Sequence, residues 1–244
     1  MKILSNRFGL DFLIDNTKPK ELVIESPKVF TNIVEELNCQ VNGISGSFII
    51  SEADKLYDVD KIMELIVNPF SIDFNNRKFI KRIYADLSEA AFNEHLMMFR
   101  NASAVMQSFI VGICDKYHIP LSYDKDVKAL DLLKLYNVKV DDQEGNLLER
   151  LTYYVQLSSR LIGTKVFVFI NLRSYLEEKD ILRLHDTAKY EQVALLLIEP
   201  RCYETHVAIP TVIVDKDRCV INIEQPEKAL TLFQGEGFGE DLIL

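Results

Sequence analysis

Residues 165–201, KVFVFINLRSYLEEKDILRLHDTAKYEQVALLLIEPR, decide the fold. Val166–Ile170 and residues 193–198 are short and rich in β-branched side chains, the composition of strands covered on both faces of a sheet. Between them Leu176, Ile181, Leu184 and Ala188 recur at helical spacing. Strand, helix and strand in this order predict a parallel βαβ unit, the core of many nucleotide-binding folds. The phosphate-binding loop of such folds is missing: neither G-x-x-x-x-G-K-[ST] nor a G-x-G-x-x-G after a strand occurs. The nearest fragment, Gly163-Thr164-Lys165, precedes a strand instead of joining a strand to a helix.

Outward from this unit, the amino-terminal part alternates in the same way. Residues 21–25 (ELVIE) and 47–51 (SFIIS) read as strands. Ser26-Pro27 starts a helix, serine as N-cap and proline at the first helical position, with Val29, Ile33, Val34 and Leu37 on one face. Asp58 is placed to cap a helix through Ile62, Leu65 and Ile66. On the carboxyl side, residues 206–214 and 218–223 flank a hairpin-like turn at Asp215-Lys216-Asp217. The glycine-containing tail from Gln225 reads as a loosely attached extension.

The middle differs. From residue 76 to 117 there is no proline and a single glycine, and Phe92, Leu96, Phe99, Ala102, Met106, Phe109 and Ile113 repeat every three to four residues. This predicts a long amphipathic helix with a break near Asn93. Unbroken, 40 residues would run for ~60 Å, too long for a compact domain. Two further helices, over 126–136 and 146–161, are expected to fold back along it. The expected architecture is an α/β head from residues 1–75 and 157–244, with a helical arm inserted at 76–156.

The chain has 244 residues, 48% hydrophobic, and a net charge of −9. That composition supports a real core and excludes a disordered chain. Taken alone, the acidity disfavours nucleic acid and favours an ordinary cytosolic protein, yet it leaves room for a basic patch, because steering follows the local field. The first residues lack a signal-peptide pattern, and no apolar run approaches ~18 residues, so no membrane span is expected. Cys39, Cys114, Cys202 and Cys219 are scattered and read as buried small hydrophobes of a reducing compartment. His95, His118, His185 and His206 show no metal or catalytic spacing and read as surface or boundary residues.

Three groups could carry chemistry. Glu199 ends an apolar strand, where nucleotide hydrolases often place a carboxylate that holds magnesium or orients water. It could equally pair with Arg201 or a backbone amide. Asp124, Asp126 and Asp131 fall within one loop-to-helix segment, and hard carboxylate oxygens near a turn suit calcium. The spacing alone favours a plainer reading, in which Asp124 or Asp126 caps the following helix. Arg77, Lys78, Lys81 and Arg82 are expected along one helix face, where they could meet phosphates or simply lie in solvent beside Asp86 and Glu89.

Several short segments, in order, then point to a family. They are Ile83-Tyr84-Ala85-Asp86-Leu87, Phe92-Asn93-Glu94, Leu121-Ser122-Tyr123-Asp124 and Asn137-Val138-Lys139-Val140 in the middle. Phe169-Ile170-Asn171, Leu196-Leu197-Ile198-Glu199-Pro200-Arg201 and Val214-Asp215-Lys216-Asp217 follow. Over residues 21–223 the chain resembles the small subfamily of accessory adaptation proteins of type II-A CRISPR loci. The resemblance implies an ATPase-related head without a phosphate loop, and a helical leg. It also implies a homotetrameric ring that threads onto double-stranded DNA from free ends. Calcium would stabilise the ring, with Asp124 and Asp131 at the positions of family ligands and Asp126 as a further donor. Lys81 matches a family lysine, while Arg77, Lys78 and Arg82 are local additions. Ser122 and Pro120 stand where relatives can carry acids. The resemblance implies no enzymatic activity. It implies a role in spacer acquisition, in which the spacer integrase and the effector nuclease are candidate partners.

Overall fold

A computed structural model of the chain describes residues 1–53, 55–117, 119–141, 144–203 and 209–223. The tail from Gln225 and His118 and His206 lie outside the described residues. The chain forms two compact units, Met1–Ile72 with Glu144–Leu244, and Asp73–Gln143.

The first unit opens with β1 (Lys2–Ser5), β2 (Leu10–Leu13), β3 (Lys20–Ile24) and α1 (Pro27–Val41). It continues through β4 (Ile49–Glu52), β5 (Lys55–Tyr57), α2 (Val59–Ile62) and β6 (Met63–Ile66). The second unit holds α3 (Arg77–Asn93), α4 (Leu96–Cys114) and α5 (Ala129–Leu135). The chain then returns to the first unit as α6 (Leu147–Ile162), β7 (Val166–Ile170), α7 (Glu178–Tyr190), β8 (Ala194–Glu199), β9 (Thr211–Val214) and β10 (Val220–Ile223).

The predicted β7–α7–β8 unit is present, and β7 and β8 bury every residue, as strands covered on both faces must. They belong to a six-stranded sheet ordered β10-β9-β3-β8-β7-β6. Five strands are parallel, and β10 closes the edge antiparallel to β9. In this register Glu21 lies beside Leu197, and Val23 beside Glu199. Leu22, Ile24, Leu196 and Ile198 point to the other face and share one core with Val29, Ile33 and Leu37 of α1. Gln40 pins that helix to the next strand. Its Nε2 donates to Phe48 O (3.0 Å), and its Oε1 accepts from Phe48 N (2.9 Å).

A second sheet, β2-β1-β4-β5, is antiparallel and contributes Ile3, Leu10, Phe12 and Ile50 to the same core. It went unread in the sequence, except that residues 47–51 were expected as a strand. The helix expected from Asp58 is shorter than the spacing suggested. It ends at Ile62, and Met63–Ile66 is strand β6, paired parallel with β7. Four residues, three of them apolar, satisfy either period, and pairing with β7 decides it.

The helix expected over 146–161 is α6, and it corrects the expected arm boundary at 156. It buries Leu151, Tyr154, Val155 and Ser158, and packs against α7 in the first unit. The Tyr154 hydroxyl donates to Glu64 Oε1 (3.0 Å) on β6. Gly163, at φ 78°, ends α6 in the left-handed conformation, and β7 begins three residues later. The Gly163-Thr164-Lys165 fragment is thus a helix stop.

In the second unit the long amphipathic pattern is two helices, α3 and α4, broken at Glu94–His95 next to the expected break. Asn75 joins the unit's two ends. Its Nδ2 donates to Val140 O (3.0 Å), and its Oδ1 accepts from Val140 N (2.8 Å). α4 buries none of its residues. It is also long and apolar enough to cross a membrane, with a mean hydropathy of 1.3, which corrects the expectation that no segment reaches that length. Arg100, Asn101, Ser103, Gln107 and Ser108 interrupt its apolar surface.

Candidate nucleic-acid interface

Asn76 starts α3 by accepting from Lys78 N (3.0 Å) and Phe79 N (3.1 Å), which fixes where the helix faces begin. On α3, Arg77, Lys81, Tyr84 and Ser88 follow each other at helical spacing and line one groove. α5 forms the facing wall, held where the Tyr84 hydroxyl donates to Leu133 O (3.4 Å). The groove has a volume of about 850 Å³. Its floor is apolar, with Phe92, Phe99 and Leu130, and four cations line it: Arg77, Lys81, Lys128 and Lys134. Among the described residues no carboxylate lines it. Among the described residues none of these four cations forms an ion pair.

The expected basic stripe is therefore split. Successive residues on a helix are ~100° apart, so Lys78 and Arg82 turn away from Arg77 and Lys81. Lys78 does not line the groove, and Arg82 Nε donates to Asp86 (3.1 Å) one turn on. In exchange the fold brings Lys128 and Lys134 into the groove from about 50 residues further along. Sequence reading missed both, since only the packing of α5 on α3 brings them near.

The three aspartates are not gathered. Asp124 Oδ1 accepts from Asp126 N (3.0 Å), and Asp131 Oδ2 accepts from Lys128 N (3.1 Å) at the start of α5. Among the described residues no three His, Cys, Asp or Glu side chains come together as a metal site. Among the described residues of one chain, these aspartates bring no shared set of carboxylates to a calcium ion. The plainer reading also changes, because the helix starts at Ala129 and neither Asp124 nor Asp126 is its N-cap.

In the first unit, Glu199 lies fully buried at the carboxyl end of β8. Its Oε1 accepts from Arg173 N (3.0 Å), and its Oε2 has no hydrogen-bond partner among the described residues. Burial pushes its carboxyl up to about 7, opposed by the Arg173 amide and reinforced by Glu21. Arg173 itself pairs with Glu21 (2.8 Å), both side chains almost wholly buried. Desolvation also raises Glu21, against the pull of Arg173. Glu199 thus meets a backbone amide, as the plainer reading had it, but on Arg173 rather than a pairing with Arg201. β3 passes into α1 through Glu25 and Ser26 alone, two residues where a phosphate loop needs a glycine-rich turn.

The other candidates stay inert or shift. Partial burial pushes the Cys202 thiol up, and Glu21 and Glu25 add to that. All four cysteines are free, and none is fully buried as expected: Cys39 and Cys114 are half-buried, and Cys202 and Cys219 are exposed. His185 is buried on α7 and has no hydrogen-bond partner among the described residues.

Residues 40–218 match the family model of the CRISPR-associated protein Cas_Csn2. The chain belongs to this family. It is 26% identical over 204 residues to a CRISPR-associated protein Csn2 of Streptococcus agalactiae, covering 82% of this chain and 89% of the relative. Among solved structures it is similar to Stu0660 of Streptococcus thermophilus, with a TM-score of 0.54 and 11% identity. That match covers 99% of this chain and 81% of the other, and it shows the fold. A putative ATP-binding protein of an ABC transporter from Pyrococcus furiosus aligns with a TM-score of 0.37 and 10% identity over 84% of this chain and 88% of the other. At that level a likeness says nothing about ancestry or nucleotide binding.

Proposed function

We propose that this Cas_Csn2 chain is a non-enzymatic protein of CRISPR spacer acquisition that binds double-stranded DNA without reading its sequence, as a homotetrameric ring loaded from free ends. The observation that carries the DNA reading is the groove cluster of Arg77, Lys81, Lys128 and Lys134, four cations with no carboxylate between them in a chain of net charge −9. Lysine and arginine side chains neutralise backbone phosphates and release counterions, so binding is salt-sensitive and indifferent to sequence. In a closed ring the cluster recurs around the symmetry axis and multiplies the contact.

The apolar face of α4 supports assembly. Met97, Met98, Val105 and Phe109 are each more than 60% exposed, a continuous cost in water that a second copy would remove. In this reading the spacer integrase and the effector nuclease are partners. Among the described residues of one chain no three carboxylates gather for the calcium that the resemblance implies. An ion at Asp124 or Asp131 would take its other ligands from a second copy, and chelation is then expected to loosen assembly without unfolding the chain.

A gel shift on linear duplex tests the DNA reading. Replacing all four groove cations by glutamine is expected to abolish the shift while leaving the fold intact. Undiminished binding by that variant would overturn it.

A second reading, a nucleotide hydrolase using Glu199, draws on its buried, half-satisfied carboxylate at the carboxyl end of the sheet. The two-residue β3–α1 turn speaks against it. ATP turnover lost in Glu199→Gln would favour it over the ring.

A further inference from the structure

The α3–α5 groove has a second property that phosphate contact leaves unused, its apolar floor. Phe92 lines it at 68% exposure, and Phe99, Leu130, Ala85 and Ala91 continue it. A phosphodiester backbone brings charge to the cations of the groove but has no apolar surface to cover such a floor. Any occupant with apolar side chains would remove the cost of wetting it. The groove therefore fits a ligand that is both apolar and anionic. Its volume of about 850 Å³ has room for several side chains at once.

The chain carries a segment of that chemistry outside the described residues. Residues 229–244, ALTLFQGEGFGEDLIL, hold Leu232, Phe233, Phe238, Leu242, Ile243 and Leu244. Among them stand Glu236, Glu240 and Asp241, and the segment has no lysine or arginine. Its acids are opposite in sign to Arg77, Lys81, Lys128 and Lys134, none of which forms an ion pair among the described residues. Its apolar side chains match the floor. From Ile223, where β10 ends, residues 224–244 can extend ~70 Å, a reach that does not depend on one arrangement of the two units. A tethered segment also meets its site at a high effective concentration, so weak contacts suffice.

We infer that residues 229–244 dock in the α3–α5 groove of their own chain, with the apolar side chains on the floor and the acids against the cations. The segment then occupies the cations that DNA phosphates would use, and duplex must displace it. That consequence for DNA rests on the function proposed above, whereas the docking itself does not.

A tryptophan in the tail tests the docking, since the chain has none of its own. In the full chain carrying Phe238→Trp, emission is expected to be blue-shifted, and acrylamide quenching weaker, relative to a free peptide of residues 229–244 with the same change. Adding Lys81→Gln and Lys134→Gln is expected to return both readings toward those of the peptide, as is raised salt. Lys78→Gln with Arg82→Gln, off the groove, is expected to leave them in place. Emission equal to that of the free peptide, or a blue shift that survives loss of the groove lysines, would overturn the inference. So would a blue shift lost on dilution, which would seat the tail of a second copy instead.

Linear duplex is expected to expose the tryptophan as it binds. Glu236→Gln, Glu240→Gln and Asp241→Asn together are expected to tighten duplex binding about tenfold, because three exposed ion pairs of the tail are lost. Unchanged duplex affinity in that variant would overturn the blocking role. A docked tryptophan in a chain that binds no duplex would sink the DNA reading and leave the docking standing. Duplex binding with a tryptophan exposed throughout would do the reverse.

Discussion

The two units treat apolar surface in opposite ways. In the first, β7 and β8 bury every residue and share a core with both sheets and α1. In the second, α4 and α5 bury none, and α3 buries Phe79 alone. The first unit carries the apolar burial that stabilises a fold by itself. The second is apolar without being filled, and it also carries four cations around one groove that form no ion pair among the described residues. Such a unit would suit the assembly and the polyanion contact proposed above.

The contrast can be tested from its strongest side first. Leu197→Ala removes a fully buried side chain from β8 and is expected to cost about 3 kcal/mol of unfolding free energy, read by chemical denaturation. A cost below about 1 kcal/mol would show that the head is not the rigid unit.

Glu199 gives a pH dependence of similar size. Its folded-state carboxyl sits near 7, raised by burial from an ordinary value of 4.5. The folded chain therefore holds a proton that the unfolded chain has released between those values. Stability is then greatest below pH 4.5 as far as this group is concerned, falls as pH rises through the window, and levels off above 7. The full range is on the order of 3 kcal/mol, one raised unit being worth about 1.4. Glu199→Gln is expected to flatten that slope in melts from pH 5 to 8, and a slope equal to that of the parent would remove Glu199 as its source.

Next come the groove cations. Arg77→Gln with Lys81→Gln is expected to lower the slope of log affinity against log salt by about 2, one for each lost phosphate contact. Lys78→Gln with Arg82→Gln is expected to lower it less, because those residues lie off the groove and Arg82 is engaged by Asp86. Equal effects of the two pairs would erase the distinction between the faces of α3.

The smallest effect on the chain itself is expected on α4. Phe109→Ser at an exposed position should shift unfolding by no more than about 0.5 kcal/mol. The same change should weaken self-association in sedimentation, which would separate an assembly face from a folding core.

How much of this was legible follows from which interactions are local. The β7–α7–β8 unit and the break between α3 and α4 were readable because period, apolar run length and the absence of proline all lie within one stretch of sequence. The sheet of β1, β2, β4 and β5 was mostly not, because strands of three or four residues with mixed burial carry no period long enough to see. Met63–Ile66 read as helix because Ile62, Leu65 and Ile66 match helical spacing, and only the free edge of β7 makes it a strand. The groove was half readable. Arg77 and Lys81 are visible as a helical pair, while Lys128 and Lys134 join them through a tertiary contact. The aspartates show how far neighbours in sequence can be from a gathered site: Asp124 and Asp131 each give one oxygen to a backbone amide of their own turn.

The most direct test of the central claim is sedimentation and gel shift of the full chain with linear and covalently closed circular duplex of the same sequence. The expected result is a tetramer that binds the linear form, spares the closed circle and releases DNA as salt is raised. A monomer, or equal binding of both DNA forms, would contradict a ring that loads from free ends.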